Sequence, residues 1–473
     1  MKRSLLTLGL LAALAAAPAY AADPETEARL KALEDQVASL RTQLEATQAE
    51  LAKTKAATTA TSATKATTPE PAADDIEARA AALAATPEES EPAATGTTSA
   101  EQAAASVATN AEEGSSSSNP NLMNPAIAIN LNGQYAHHSM DPEAFQRAGF
   151  PLAGEAGPGP QGLSLGESEI SFAANIDEKF YGQMTVAVES EDGEDAIGLE
   201  EAYIETTALP AGFTFRAGRF LSNLGYLNHH HAHTDKFTDR PLANQAFLGG
   251  SYHDDGVQLR WVAPTDTFIE LGAELLRGQN YPSGGAAHAG AGVKTAFAHI
   301  GGDLGDESSW LAGVSMLDSH TEGGEDGFSG HERLYIADGT WKWAPGGNTK
   351  DGGITLRGEY FLEHRDGDFI NPDDEFDTQA WDGTRRGAYL EGVWRINRQW
   401  ETGYRYDRLW SSDEGPYATD FDPSRHSLML AWLNSEFSLF RLQLSHEDAN
   451  PDDDTAVTLQ YQTSLGAHGA HKF

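Results

Sequence analysis

From about Asn124 to Phe473 the chain is a series of segments of roughly ten residues in which apolar and polar residues alternate. Alternation with a period of two places successive side chains on opposite faces of a β-strand. The segments are separated in turn by very short turns and by long polar loops. This pattern predicts an all-β fold, a transmembrane β-barrel at 124–473, because within lipid a strand can pair its backbone groups only in a closed sheet.

The prediction contains sixteen antiparallel strands, an even number, as in single-chain bacterial barrels. Their ranges are 126–136, 167–176, 179–189, 199–209, 212–220, 255–263, 267–277, 292–301, 308–318, 332–343, 353–364, 386–396, 399–410, 426–434, 437–447 and 455–473. Tight turns are predicted at 177–178, 210–211, 264–266, 397–398 and 435–436. Long loops are predicted at 137–166, 221–254, 278–291, 319–331, 365–385 and 411–425. Sorting short turns to one side and long loops to the other is typical of outer-membrane barrels rather than of soluble sandwiches.

The two rows of each predicted strand differ in charge. In 353–364, Leu356 and Tyr360 share one row, while Arg357 and Glu359 share the other. Whole charges are costly in a dry interior, so we expect the apolar row to face lipid and the charged row to face water. A barrel of this size is wide enough for an aqueous channel. The charged side chains predicted to line this pore are Arg216, Arg260, Glu270, Glu274, Arg357, Glu359, Glu391, Arg395, Arg405, Asp407 and Arg441.

The first residues predict export. Lys2 and Arg3 precede an apolar run that ends at Ala19-Tyr20-Ala21, which is typical of a secretory signal peptide at 1–21. A membrane anchor is the alternative, but the run is short for spanning a bilayer. The chain has no cysteine, so it needs no disulfide in an oxidising compartment.

Two further segments precede the predicted barrel. Residues 23–55 predict a coiled-coil helix, in the periplasm, that joins copies of the chain, and an amphipathic helix lying on the protein is the alternative. Its apolar seam is Leu30, Leu33, Val37, Leu40, Leu44 and Leu51, with Thr47 completing the heptad spacing. Residues 56–123 are rich in Ala, Thr, Ser and Pro and predict a disordered linker.

The chain is strongly acidic. Its net charge is −39, which argues against nucleic acid as a partner, since phosphates require cationic contacts. The predicted barrel region alone has 23 basic and 54 acidic residues, a net charge of −31. A passage through it is therefore expected to prefer cations.

These features together resemble Gram-negative porins, in particular those with a coiled coil before the barrel, such as some sugar porins and phosphate-selective porins. The resemblance implies a homotrimer in the outer membrane that passes small hydrophilic solutes. Phe473, a terminal aromatic residue in phase with the last lipid-facing row, resembles the signal read by the barrel assembly machinery. The anion selectivity of phosphate-selective members depends on inward Lys and Arg, and the acidity of this chain does not match it.

One loop contains a group of candidate metal ligands. Imidazole and carboxylate groups together can hold Zn²⁺ or another divalent ion, and the segment 228–250 resembles loops of outer-membrane proteins described as zinc-regulated. The candidates are His229, His230, His231, His233, Asp235 and Asp239. The alternative is a polar, solvated loop, because no fixed ligand spacing is present. Counting the connection between strands 179–189 and 199–209 as the second, the loop at 221–254 is the third on its side of the barrel. In porins the third loop folds into the barrel and narrows it.

The primary hypothesis is thus a passive diffusion pore that needs no cofactor. The second is a metal-binding or metal-uptake protein that holds zinc or another divalent ion transiently in the histidine loop. An enzyme is not expected, because no nucleophile motif stands out among the loops. A structural role, in which the helix and linker tether the envelope, is compatible with a pore.

Overall fold

A computed structural model describes residues 125–154, 156–191, 194–284, 290–322, 326–370, 378–412 and 417–466. The predicted signal peptide, coiled coil and linker lie outside these residues, and so does Phe473. No helix among the described residues is long and apolar enough to cross a membrane.

The described part of the chain forms one closed antiparallel sheet. Its strands are β1 (Ala126–His138), β2 (Gly162–Leu165), β3 (Ser168–Asn175), β4 (Phe180–Glu191), β5 (Glu194–Thr206), β6 (Phe213–Leu221), β7 (His253–Val262), β8 (Phe268–Leu276), β9 (Val293–Asp303), β10 (Ser308–Thr321), β11 (Phe328–Trp343), β12 (Gly353–Ile370), β13 (Thr378–Arg395), β14 (Trp400–Trp410), β15 (Ser424–Ser435), β16 (Ser438–Asp448) and β17 (Asp454–Gly466). Each strand pairs with its neighbours in sequence, and β17 pairs with β1 to close the barrel. Both β2 and β3 pair with β1, so they share one position, and the barrel has sixteen positions, as predicted.

The tight turns lie where the sequence predicted them, but β10 ends at Thr321 and β11 begins at Phe328, both inside the loop predicted at 319–331. At two of the tight turns an amide or carboxylate side chain caps the following strand. Asp177 accepts hydrogen bonds from the backbone N–H groups of Lys179 and Phe180, and Asn397 accepts them from Gln399 and Trp400. Such side-chain turns favour a sharp reversal.

The strands are amphipathic in the predicted sense. On β13, Leu390 is 62% exposed on the outer face, while the next residue, Glu391, is 3% exposed on the inner face. At the end of the barrel with the short turns, Trp400 and Trp432 are cross-strand neighbours, and Trp432 stacks on Phe440. An apolar outer face with an aromatic border is the surface that a lipid bilayer requires.

Several hairpins extend beyond their predicted ends on the side of the long loops. β12 and β13 remain paired as far as Ile370 and Thr378, well past the predicted limits at 364 and 386. Both rows of these extensions are largely polar, so the apolar half of the alternation disappears while the backbone pairing continues. Likewise, β5 begins at Glu194 rather than at 199.

The interior differs from the expected water-filled channel. Two long loops enter it: L1, residues 139–161, and L3, residues 222–252. L3 contains the helix α1 (Leu242–Leu248), whose seven residues are all buried. A cluster of apolar side chains from L1, L3 and the inner wall fills this level of the barrel, including Phe150, Phe220, Leu224, Leu242, Phe247 and Phe361.

The packing of α1 explains why this part of the interior is dry. The ring of Phe247 packs edge-on against Phe150 of L1, 5.9 Å between centroids, and stacks on Phe361 of β12 at 5.8 Å. The helix ends at Gly249, which has a φ of 61° and lies so close to L1 that a Cβ atom there would be 3.2 Å from the carbonyl oxygen of Ala153. Burying each Phe side chain contributes about 1.5–3 kcal/mol.

Candidate functional site inside the barrel

L3 crosses the interior and contacts the wall on every side. Its first residues bond to the wall at β8, β10 and β12: Asn223 N–H donates to Glu274 at 3.0 Å, Gly225 N–H to Ser315 at 2.9 Å and Leu227 N–H to Glu359 at 2.9 Å. Its middle then reaches the opposite wall, where Gln462 of β17 donates to the carbonyl of His233 at 2.7 Å. The third loop therefore narrows the barrel, as the porin resemblance implied.

Two predicted metal ligands belong to an arginine cluster instead. Asp239 accepts from Arg405 of β14 at 2.8 Å and lies 3.0 Å from Arg425 of β15. Burial would raise the pKa of Asp239, but the two guanidinium groups outweigh burial and lower the pKa to about 2. Asp235 pairs with Arg240 of the same loop at 2.8 Å. The carboxylate of Asp239 thus fixes L3 to the wall, whereas that of Asp235 neutralises an arginine within the loop.

Two of the predicted histidines also lie apart from the others. His230 stacks on Tyr226, with 4.7 Å between ring centroids, and its Nδ1 lies 2.8 Å from the carbonyl of Tyr226. The ring of His229 lies beside that of His230, at 4.1 Å. This pair is a local aromatic stack within L3.

His231 and His233 meet carboxylates of the wall. Nδ1 of His231 lies 3.1 Å from Glu200 Oε2 and 3.3 Å from Glu169 Oε2, and its Nε2 lies 3.0 Å from Glu201 Oε2. Nδ1 of His233 lies 2.6 Å from Glu169 Oε1. We call these five residues the histidine–glutamate cluster. Burial would lower the pKa of His231, but the three carboxylates outweigh burial and raise the pKa well above its ordinary value.

The predicted pore-lining residues all lie on the inner wall, but L3 divides them. Glu270, Glu274, Arg357, Glu359, Glu391, Arg405, Asp407 and Arg441 are buried by the loop and their neighbours. Arg216, Arg260 and Arg395 keep 17, 24 and 11% of their side chains exposed. These three, rather than the whole set, face the space that L3 leaves.

The partly exposed arginines named above, and one lysine of L3, each lie near a carboxylate. Arg216 lies 2.6 Å from Glu205 of β5, and Arg260 lies 3.5 Å from Glu270 of β8. Lys236 of L3 lies 3.1 Å from Glu401 of β14. The candidate passage is therefore lined by alternating opposite charges.

Several residues of this site were not singled out from the sequence: Glu169, Glu200, Glu201, Glu205, Lys236 and Arg425. The alternation of inward and outward side chains along β3 and β5 would by itself place Glu169 and Glu201 in the interior. Their contacts with L3 join residues 64 and 30 positions apart, and no local pattern encodes such contacts.

Comparison with known proteins gives one relative and several similar folds. No family model matches the chain. An uncharacterized protein of Aquifex aeolicus is 30% identical over 346 residues, which cover 66% of this chain and 70% of that protein. The fold is similar to OmpT of Vibrio cholerae in its trimer form, with 9% identity and a TM-score of 0.46 over 72% of this chain and 99% of OmpT. It is also similar to the channel DcaP of Acinetobacter baumannii, with 11% identity and a TM-score of 0.46 over 72% of this chain and 96% of DcaP.

Proposed function

The chain belongs to the family of the Aquifex aeolicus protein, and we propose that it is an outer-membrane porin through which small hydrophilic solutes diffuse. The observation that supports this function most is a closed barrel, apolar outside and charged inside, whose interior is crossed by one loop. In the usual orientation of outer-membrane barrels, the long loops would face outward, away from the cell.

Passage would occur beside L3 rather than through a wide channel. The exposed side chains Glu205, Arg216 and Arg260 on β5 to β7, with Lys236 and Asp239 on L3, give a narrow path lined by both signs of charge. Such a path favours small polar solutes, because large or apolar ones would displace water from paired charges.

We also propose that the passage prefers cations. Because the charges beside L3 are paired, the preference would arise at the outward end of the barrel. There, Asp366, Asp368 and Asp382 are exposed at the ends of β12 and β13, and Asp452 and Asp453 are exposed between β16 and β17. Acidic rims raise the local concentration of cations and lower that of anions.

Planar-bilayer recording of the purified protein tests both proposals. We expect single-channel steps in KCl, and a reversal potential across a KCl gradient that has the sign for cation permeation. Absence of conductance in reconstituted, heat-modifiable protein contradicts the diffusion function. Conductance with an anion-selective reversal potential contradicts the cation preference alone.

For the enzymatic alternative, the described residues include a serine, a histidine and an aspartate that lie together at the rim of the barrel. His138 lies 2.7 Å from Asp454, but Ser139 donates to Asp454 and not to the histidine. A nucleophilic serine must donate to the base, so this arrangement does not activate Ser139.

The assembly is proposed from the sequence. The seam from Leu30 to Leu51 would join three copies in the periplasm, and Phe473 would direct barrel assembly in the outer membrane. Removal of residues 23–55 should convert a cross-linked trimer to monomers in outer-membrane preparations. A trimer that survives this deletion places the contact elsewhere.

A further inference from the structure

The structure assigns a binding site for one divalent transition-metal ion, with Zn²⁺ as the probe, to Glu169, Glu200 and His231 inside the barrel. This inference is independent of the diffusion function, since holding an ion on the inner wall requires no open passage. It also replaces most of the ligand set that the sequence suggested, because only His231 is retained as a ligand.

Three ligand atoms converge at this point. One ligand atom from each of Glu169, Glu200 and His231 lies within 4.8 Å of the other two. In a tetrahedral zinc site with bonds of about 2.0–2.1 Å, neighbouring ligand atoms are about 3.3 Å apart. The distances from His231 Nδ1 to the two carboxylate oxygens, 3.1 and 3.3 Å, are close to that spacing.

The far side of the His231 ring is held by a carboxylate. Its Nε2 lies 3.0 Å from Glu201 Oε2, and when Nε2 carries the proton, the lone pair of Nδ1 faces Glu169 and Glu200. In the metal-free site a proton on Nδ1 lies between the ring and these carboxylates, and a metal ion would take the place of that proton. A carboxylate behind a ligating histidine is also the usual support of a metal site, because it fixes the ring and its tautomer.

Glu169 is oriented in the same way. Its second oxygen, Oε1, lies 2.6 Å from Nδ1 of His233, and Nε2 of that ring lies 3.3 Å from the amide nitrogen of Asn130. With Asn130 donating to Nε2, His233 carries its proton on Nδ1 and donates it to Glu169. The oxygen Oε2 is thereby directed toward His231.

A backbone irregularity brings Glu200 to the site. On β5, Glu201 pairs with Thr185 and Leu199 pairs with Val186, so Glu200 is an extra residue, a β-bulge. In a regular strand Glu200 would face the opposite side from Glu201, toward lipid. The bulge instead lets both carboxylates contact His231, while Leu199 remains outside, 41% exposed. Bulges of this kind commonly redirect a side chain beside a functional site.

The charge of the cluster also favours a divalent ion. Glu200 and Glu201 form their ion pairs with His231, whereas Asp235 and Asp239 form theirs with arginines. The cluster holds three carboxylates and two imidazole rings, so the carboxylates outnumber the rings in a confined space. An ion with two positive charges offsets this negative charge more completely than one proton does.

Zinc titration of the full mature chain, without a histidine tag and folded in detergent, tests the site against a competing chromophoric chelator. We expect one Zn²⁺ per chain. Glu169→Gln and Glu200→Gln should each weaken binding by about 100-fold or more, and Glu201→Gln by about 10–100-fold. His230→Gln is the matched control, since it removes a neighbouring imidazole of L3 outside the site, and it should leave the affinity unchanged.

X-ray absorption at the zinc edge should show one imidazole among oxygen ligands, and circular dichroism should show unchanged strand content in every variant. The site is refuted if the wild type binds zinc no more tightly than the Glu169→Gln, Glu200→Gln double variant, or if His230→Gln weakens binding equally. Protein that conducts ions but binds no zinc contradicts the site alone. Protein that binds zinc but does not conduct contradicts the diffusion function alone.

Discussion

At the scale of single residues, Asp239 is the clearest point of attachment for L3. Its carboxylate contacts Arg405 and Arg425 and also accepts from Gln443 at 2.9 Å, so one side chain joins the loop to three strands. Asp239→Asn would leave two guanidinium groups with less negative charge nearby. Because Asp239 is 27% exposed, we expect a loss of only about 1–3 kcal/mol in the free energy of unfolding.

The same substitution should alter permeation. Removing one negative charge beside the passage and loosening L3 should raise the single-channel conductance and reduce the cation preference. Asp266→Asn, in the exposed turn between β7 and β8, is the control and should change neither. Equal conductance and selectivity in wild type and Asp239→Asn contradict this role for Asp239.

The attachment should also be lost in acid. The pKa of Asp239 is lowered to about 2 in the folded protein, below its ordinary value, so its stabilisation is complete above the ordinary pKa and is lost as the pH falls toward 2. Asp407 of β14 and Glu447 of β16 share the same arginines and weaken this dependence. Conductance recorded from pH 7 to 2 should change below about pH 4 in wild type, and this change should be smaller in Asp239→Asn.

At the scale of elements, the surroundings of each face of a strand determine which side chains that face tolerates. On β15, Leu428 lies within the apolar outer face, and His426 lies on the same face nearer to the long loops. Leu428→Arg should cost about 2–4 kcal/mol in the free energy of unfolding from lipid vesicles, and His426→Arg about 0–1 kcal/mol, since the cost of a charge falls toward the interface. Urea titration measures both, and equal costs would contradict the assigned position of the bilayer.

The alternation of side chains between the two faces of a strand explains how much of these elements the sequence could predict. Leu390 and Glu391 lie on opposite faces because alternation in a strand is a local property. The bulge at Glu200 was not predictable, since one inserted residue leaves the composition of the strand unchanged and only its pairing with β4 reveals it. The extension of β12 to Ile370 was missed for a related reason, because above the apolar face polar residues occupy both rows.

At the scale of the whole molecule, contacts between residues far apart in the sequence determine features of the interior that the sequence alone did not predict. His231 and Asp239 were both proposed as metal ligands from their types and spacing. The fold brings one beside Glu200 and Glu201 and the other beside Arg405 and Arg425, and these partners are supplied by distant strands. The prediction of a wide, water-filled interior was wrong because the apolar residues of α1 pack against the wall from within.

The cation preference proposed for the acidic outward end is a property of the whole molecule, and substitutions there test it. Replacing Asp366, Asp382, Asp452 and Asp453 with their amides removes four exposed negative charges near that end. The ratio of cation to anion permeability should fall, and the effect should shrink at high salt because screening shortens the reach of these charges. Asp303→Asn with Asp306→Asn, near the opposite end, is the control, and an equal effect there would locate the selectivity elsewhere.

The contacts of L3 with the last strands also constrain the order of assembly. The loop bonds to Arg441 of β16 and Gln462 of β17, residues 206 and 229 positions further along the chain than their partners. L3 therefore cannot settle until synthesis and insertion are nearly complete and the first and last strands have met. Protection of L3 from a protease would then report that the barrel has closed, because the loop that narrows the finished pore needs the last strands to reach its final position.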